Sequence, residues 1–248
     1  MIRVRHTAKI FRAIFDVLKD LLCDVNIYFT KTGFYIQSID PEKMSIITLQ
    51  IAGSKLMEYE YDYEKDSMAF GIHAPLLYKL LRTASSTDVM QWLCNEQTII
   101  LSLQDTESWV NQTVTMVNIL IPVDEYKVMG GQGVSFTINI KDFRKALKET
   151  THLAQKIKFQ IDKLGDVFLI ADQEGIARSR YHLRWQAQDG IPENMTKEFY
   201  YRGIEKMLKL NIATAGTVTF SPGTDPFRVQ LFFDCGHLEM FVAVIPTE

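Results

Sequence analysis

The sequence predicts an α+β fold built from two similar halves, each with two helices and roughly eight or nine strands. Three features point there: one segment recurs 132 positions later, four segments carry helical apolar spacing, and many short runs alternate apolar with polar residues. At 248 residues, with 47% hydrophobic and 23% charged, the chain is long enough for two units, each with its own core.

The repeat comes first in the chain. Lys9 to Phe15 returns as Lys141 to Leu147, aligning Phe11 with Phe143 and Arg12 with Arg144. The same offset sets Gly33 on Gly165, with strand-like residues on both sides: Asn26 to Phe29 and Ile36 in one copy, Ile157 to Ile161 and Val167 to Ile170 in the other. Each half therefore opens helix, strand, turn, strand. Later helices are expected at Pro75 to Arg82, where proline in the first turn costs no hydrogen bond, and at Arg202 to Lys209. Between them run strand candidates rich in valine, isoleucine, threonine and aromatics. They cover Met44–Ile51, Lys55–Tyr61, Ser67–Ile72, Val89–Leu93, Thr98–Leu103, Gln112–Ile119, Val134–Ile140, Thr217–Ser221, Phe227–Phe233 and Leu238–Val244.

Pro122 and the glycine cluster Gly130, Gly131 and Gly133 mark a connection between the halves. The expected division is 1–119, a connector at 120–133, and 134–248. The glycine cluster lacks the lysine and Ser/Thr of a phosphate loop and reads as a turn.

Charge is segregated. The net charge of -3 argues against a nucleic-acid partner only until its distribution is seen. Residues 8–22, 75–84, 141–151 and 202–210 hold 12 of the 27 lysines and arginines but only five acids, which is +7 on the helices and -10 elsewhere. Lys9, Arg12 and Lys19 share a helical face, as do Lys141, Lys145, Lys148 and His152, and Arg202, Lys206 and Lys209. Lys79 and Arg82 are expected opposite Leu76, Leu77, Leu80 and Leu81. One such helix is an ordinary solvated surface. Four of them on a common face would form a positive track for phosphates.

Other classes find little support. Cys23, Cys94 and Cys235 are odd in number and far apart, and His6, His73, His152, His182 and His237 lack metal-ligand spacing. No metal, cofactor or catalytic residue is expected, and no nucleophile motif occurs. The opening residues lack a signal-peptide core and no run approaches ~18 apolar residues, so an intracellular, soluble protein without membrane partners is expected.

Several stretches, in order and at matching separations, resemble one known family. They are Phe11 to Leu21, Ile36 to Asp40, Met44 to Leu49, Ile121 to Tyr126, Phe143 with Lys145, Lys148 and His152, and Cys235 through Ala243. Over most of its length the chain resembles the proliferating cell nuclear antigen type of DNA sliding clamp, as a divergent member compatible with a viral source. The resemblance implies the clamp fold: a homotrimeric ring with helices lining the hole and antiparallel sheets outside. It also implies a non-enzymatic role, encircling duplex DNA without sequence preference. Such a ring tethers DNA polymerase and other replication or repair factors as a processivity factor, and needs a clamp loader. By the same resemblance Arg12, Lys19, Lys79, Arg82, Lys145, Lys148, Arg202 and Lys209 face DNA, with Lys9, Lys141 and Lys206 extending the stripes. Ala13 stands where relatives often carry a second lysine.

A pocket for partner peptides is implied at Ile39, Lys43, Met44, Ile46, Ile119, Ile121, Pro122, Tyr126, Pro226, Phe241 and Ala243, where aliphatic and methionine side chains suit varied ligands. The chain is shorter than familiar relatives at 99–126 and 171–198, near the strands expected to pair between subunits, Trp109–Met116 and Tyr181–Gln188. The implied location is the nucleus or another site of DNA replication, a host nucleus or viral factory for a viral protein. A subunit of a heterotrimeric or checkpoint clamp, or a clamp fold that no longer encircles DNA, stays open beside this reading.

Overall fold

The computed structural model describes residues 1–105, 111–122, 133–162, 164–173, 176–187, 195–221 and 225–245. Among them the elements follow the repeat. Strand β1 (Ile2–Thr7), helix α1 (Ala8–Leu21), β2 (Asp24–Thr30) and β3 (Gly33–Ile39) open the first half. It continues with β4 (Ser45–Ala52), β5 (Glu58–Tyr61), β6 (Ser67–His73), α2 (Ala74–Leu81), β7 (Val89–Cys94), β8 (Thr98–Gln104) and β9 (Asn111–Val117). The second half opens alike with β10 (Val134–Ile138), α3 (Ile140–Thr150), β11 (Lys156–Ile161) and β12 (Val167–Gln173). Then follow β13 (Ala177–Leu183), β14 (Gln186–Ala187), β15 (Met195–Tyr200), α4 (Arg202–Met207), β16 (Ala215–Phe220), β17 (Phe227–Phe233) and β18 (Gly236–Val242).

Helix positions follow from side-chain chemistry. In α1, Phe11, Ile14, Phe15, Leu18 and Leu21 recur on one face and are buried. Pro75 opens α2, and Asn139 caps α3 by accepting the Lys141 and Asp142 N–H groups. Two expectations are corrected here. Helix α4 ends at Met207, because the N–H groups of Lys209 and Leu210 reach back only three residues and tighten the chain into turns. Leu76 is exposed rather than opposite Lys79, because α2 buries Ala74, Leu77 and Leu81 and leaves position 76 on the solvent face. Lys55 lies in a short 3-10 turn before β5, so that strand is shorter than expected.

Three antiparallel sheets form. A nine-stranded sheet runs β14-β10-β16-β17-β18-β4-β3-β2-β6, a five-stranded sheet runs β5-β1-β7-β8-β9, and a four-stranded sheet runs β13-β12-β11-β15. The nine-stranded sheet crosses between the halves at β18 and β4, where Phe241 pairs with Ile46 and Glu239 with Thr48. Each half has an aromatic hub. Trp92 lies 4.8 Å from Phe11 and 5.8 Å from Phe34, and Trp185 lies 5.2 Å from Phe143 and 5.5 Å from Phe159. The paired phenylalanines of the repeat thus anchor equivalent helices.

Gly33 and Gly165 both take positive φ, 148° and 82°, in the equivalent turns of the two halves. A side chain at Gly33 would place its Cβ 2.1 Å from the Ile51 carbonyl oxygen. The helices form one row: α1 touches α2 on one side and α4 on the other, and α4 touches α3. No helix among the described residues is long and apolar enough to cross a membrane.

Candidate nucleic-acid interface and docking face

The helices that carry the basic residues touch one another in the order α2, α1, α4, α3. Lys79, Arg82, Lys145, Lys148, Arg202 and Lys209 are exposed, while Arg12 and Lys19 are half-buried. Lys9 and Lys141 are also exposed, and Lys206 is partly so. No ion pair among the described residues engages Lys79, Arg82, Lys148 or Arg202. Lys145 lies 3.8 Å from Glu149, a loose surface pair of little energetic weight.

The two half-buried cations are already engaged. Arg12 donates from Nη1 to the Ala84 carbonyl at 2.7 Å, closing the turn that follows α2. Lys19 pairs with Asp16 at 2.9 Å and Asp20 at 3.1 Å, and lies 4.5 Å from the Tyr78 ring centre. Asp20 also pairs with Lys209 at 3.3 Å, tying α1 of the first half to the segment after α4 of the second. Burial alone would lower the Lys19 pKa, but hydrogen bonds to Asp16 and Asp20 raise it above its ordinary value. For Asp20 burial pushes upward, yet hydrogen bonds from Lys19 and Lys209 leave it lowered. Both groups therefore stay charged at neutral pH.

Of the implied docking residues, Ile39, Ile46 and Phe241 sit in strands of the nine-stranded sheet, and Lys43, Met44, Pro226 and Ala243 flank the ends of those strands. Ile39 pairs with Ile46 and Ile46 with Phe241, so the three side chains lie side by side across β3, β4 and β18. Arg228 pairs with Phe241 on the next strand and sets its guanidinium 5.6 Å from that ring's centre, while also bonding Glu239. Ile39, Met44, Ile46 and Phe241 are partly exposed and Ala243 is exposed. The Ala243 N–H donates to the Met44 carbonyl at 2.8 Å, joining the ends of β18 and β4. Lys43 is exposed at φ 57° in a turn that Asp40 organises by accepting the Met44 and Ser45 N–H groups, each at 2.7 Å. Pro226 precedes β17 and is partly exposed.

The segment after β9 lies across the far end of this sheet. Ile119 is exposed and donates its N–H to the Gly71 carbonyl at 3.2 Å. Ile121 is held by Asn26, which donates to its carbonyl at 2.8 Å and accepts its N–H at 3.1 Å. Pro122 is exposed, and Tyr126 lies outside the described residues. The sequence gives Asn26 no mark of this role beyond its being an asparagine inside a strand, and its partner is 95 positions away.

An α+β chain of two repeated halves, with a row of basic helices on antiparallel sheets, has the architecture of the sliding-clamp class. Residues 1–125 match the family described as "Proliferating cell nuclear antigen, N-terminal domain". The chain is 31% identical over 128 residues to "Probable DNA polymerase sliding clamp 1" of Paramecium bursaria Chlorella virus 1, covering 49% of this chain and 46% of that one. It is 24% identical over 159 residues to "Proliferating cell nuclear antigen" of Saccharomyces cerevisiae, covering 63% of this chain and 60% of the relative. The matches thus span about half to three fifths of the length of these curated relatives. The chain belongs to the proliferating cell nuclear antigen family, whose clamps are not enzymes, as a divergent member.

Proposed function

We propose that the chain is a subunit of a ring that encircles duplex DNA and tethers DNA polymerase and other peptide-bearing replication factors to it, after opening by a clamp loader. The observation that carries the reading is the single helix row, with Lys79, Arg82, Lys148 and Arg202 on it free of ion pairs among the described residues. Such cations attract phosphates without reading bases, so many registers are equivalent and the ring slides. Retention then comes from closure rather than affinity. The divisions at 1–119, 120–133 and 134–248 belong to this reading, as do sites of action in a nucleus or viral factory.

Ring closure is supported by the sheet edges. Strand β9 is an edge of the five-stranded sheet and β13 an edge of the four-stranded one, whereas Ile245 bonds Glu198 on β15 at the opposite edge of the latter. An exposed strand edge is a template for pairing with another chain. Joining β9 of one copy to β13 of the next would complete a nine-stranded sheet, matching the one that already crosses between the halves within a chain.

Light scattering tests the assembly, with a mass near three times 28.6 kDa expected. A persistent monomer that assembles only with other subunits would support the heterotrimeric reading instead. The double variant Lys79→Glu, Lys148→Glu tests the track. It should assemble normally yet lose processive synthesis, with the salt dependence of DNA binding shallower by about one unit of slope per lysine engaged. Unchanged processivity would overturn the DNA-facing assignment.

A further inference from the structure

Spacing in the sequence predicts no metal site, yet among the described residues the fold assembles a set of metal-binding atoms from two distant segments. Cys23 Sγ lies 3.7 Å from His73 Nδ1, and Asp24 Oδ1 lies 2.7 Å from the same nitrogen. The three ligand atoms all fall within 4.8 Å of one another. We propose that Cys23, Asp24 and His73 form a zinc site where α1 leaves for β2 and β6 enters α2.

The donor set decides the metal. Thiolate, imidazole and carboxylate together suit zinc and similar borderline ions, whereas magnesium and calcium require oxygen donors. Tetrahedral zinc with ordinary bond lengths sets sulfur and nitrogen about 3.6 Å apart, and nitrogen and oxygen about 3.4 Å apart. The first separation is already met. The second requires that the Asp24–His73 hydrogen bond open and yield the shared Nδ1 to the metal, with the exposed Asp24 carboxylate turning toward Cys23 Sγ, from which it lies within 4.8 Å, to reach the roughly 3.6 Å that one zinc sets between sulfur and oxygen. Three protein ligands leave a fourth position for water.

The backbone holds these groups in place without the metal. Asp24 and His73 are register partners in the β2–β6 ladder, and Ala74 donates its N–H to the Cys23 carbonyl at 2.8 Å. Little chain entropy is therefore lost on binding. Cys23 and Asp24 are exposed, which admits the ion, while Cys94 and Cys235 are buried. His73 occupies the N-cap of α2 but makes no capping bond with its side chain, so ligation takes nothing from the helix. A bound ion would fasten the exit of α1 to the start of α2, the two helices that present Lys19 and Lys79. The site stands on the fold alone and does not depend on ring formation.

The test uses the reduced full chain, with Co2+ as a spectroscopic probe and Zn2+ as its competitor. One equivalent of Co2+ should give a thiolate-to-cobalt charge-transfer band that Zn2+ abolishes. Cys23→Ser should remove the band, and His73→Gln should weaken binding by about tenfold or more, the least expected when even outer ligand supports contribute that much. Zn2+ should also slow alkylation of Cys23 in the unaltered chain, read by mass spectrometry, and raise its melting temperature but not that of Cys23→Ser. A band that survives in Cys23→Ser, or Cys23 alkylation at the same rate with and without Zn2+, overturns the site.

Discussion

Arg12 and Arg144, 132 positions apart, brace equivalent places in the two halves. Each donates its guanidinium to a backbone carbonyl at the end of the second helix of its half, Ala84 after α2 and Leu208 after α4. Leu208 caps α4 and Ala84 sits in the turn just past α2, so at both places a cation satisfies a carbonyl near the negative end of a helix dipole. The repeat therefore reproduces a cross-brace between helices as well as a hydrophobic pattern.

Arg12→Ala and Arg144→Ala should each lower stability by about 1–2 kcal/mol, somewhat less than a fully buried charged hydrogen bond because both sites are only partly shielded. The two bonds share no partner, so the double variant should show additive loss. Urea unfolding of the single and double variants checks this, with Lys79→Ala, an exposed lysine of α2, as the near-neutral comparison.

Asp20 gives the fold a dependence on acid. Its folded pKa is lowered relative to its ordinary 3.8, burial being outweighed by hydrogen bonds from Lys19 and Lys209. A depressed carboxylate contributes stability that is fully present above its unfolded value and lost as pH falls through the folded one. The contribution should thus hold down to about pH 5 and fade from there downward. Unfolding free energies measured across that range should fall less steeply in Asp20→Asn than in the unaltered chain.

Asn26→Ala should release Ile121 and Pro122 from the sheet, while Asn118 and Ile119 keep their own bonds to Gly71. The side chain is buried and makes both a donor and an acceptor bond to Ile121, so its loss should cost about 1–3 kcal/mol and strand two backbone groups. Faster limited proteolysis near Ile121, with the core still protected from hydrogen exchange, is the expected result.

Gly33→Ala should be severe. Its φ of 148° is unfavourable for any side chain, and the added Cβ would meet the Ile51 carbonyl at 2.1 Å and the Gly53 nitrogen at 2.7 Å. Strain and overpacking together predict a loss of about 2–4 kcal/mol. Thermal unfolding of the variant measures it.

Helix phase and the repeat were legible in the sequence because both are local. The faces of α1 and α3, the alignment of Phe11 with Phe143 and the glycine turns all follow from spacings of three and four residues and one fixed offset. The end of α4 was not legible, since apolar spacing continues through Leu208 and Leu210 after the hydrogen bonding has changed. Leu76 stands three residues before Lys79 and so shares the exposed side of α2 with it, a relation that a run of leucines hides. Strand β1 carries Arg3 and Arg5 and reads as polar until β5 sets Glu60 opposite Arg3 and Glu58 opposite Arg5, both carboxylates pairing with Arg3. The Asn26 clamp, the Arg12 brace and the cluster at His73 each join residues about 50 or more positions apart, and no local pattern encodes such pairs.

The pairing of β4 with β18 has a consequence for synthesis. Strand β4 leaves the ribosome with one long side unpaired, and its partner is made about two hundred residues later, so at ordinary rates it waits for roughly ten seconds or more. During that interval Ile46 and its neighbours offer an open hydrogen-bonding edge to any nascent chain nearby. Protection by chaperones, or temporary pairing with another segment, becomes part of how this molecule is made.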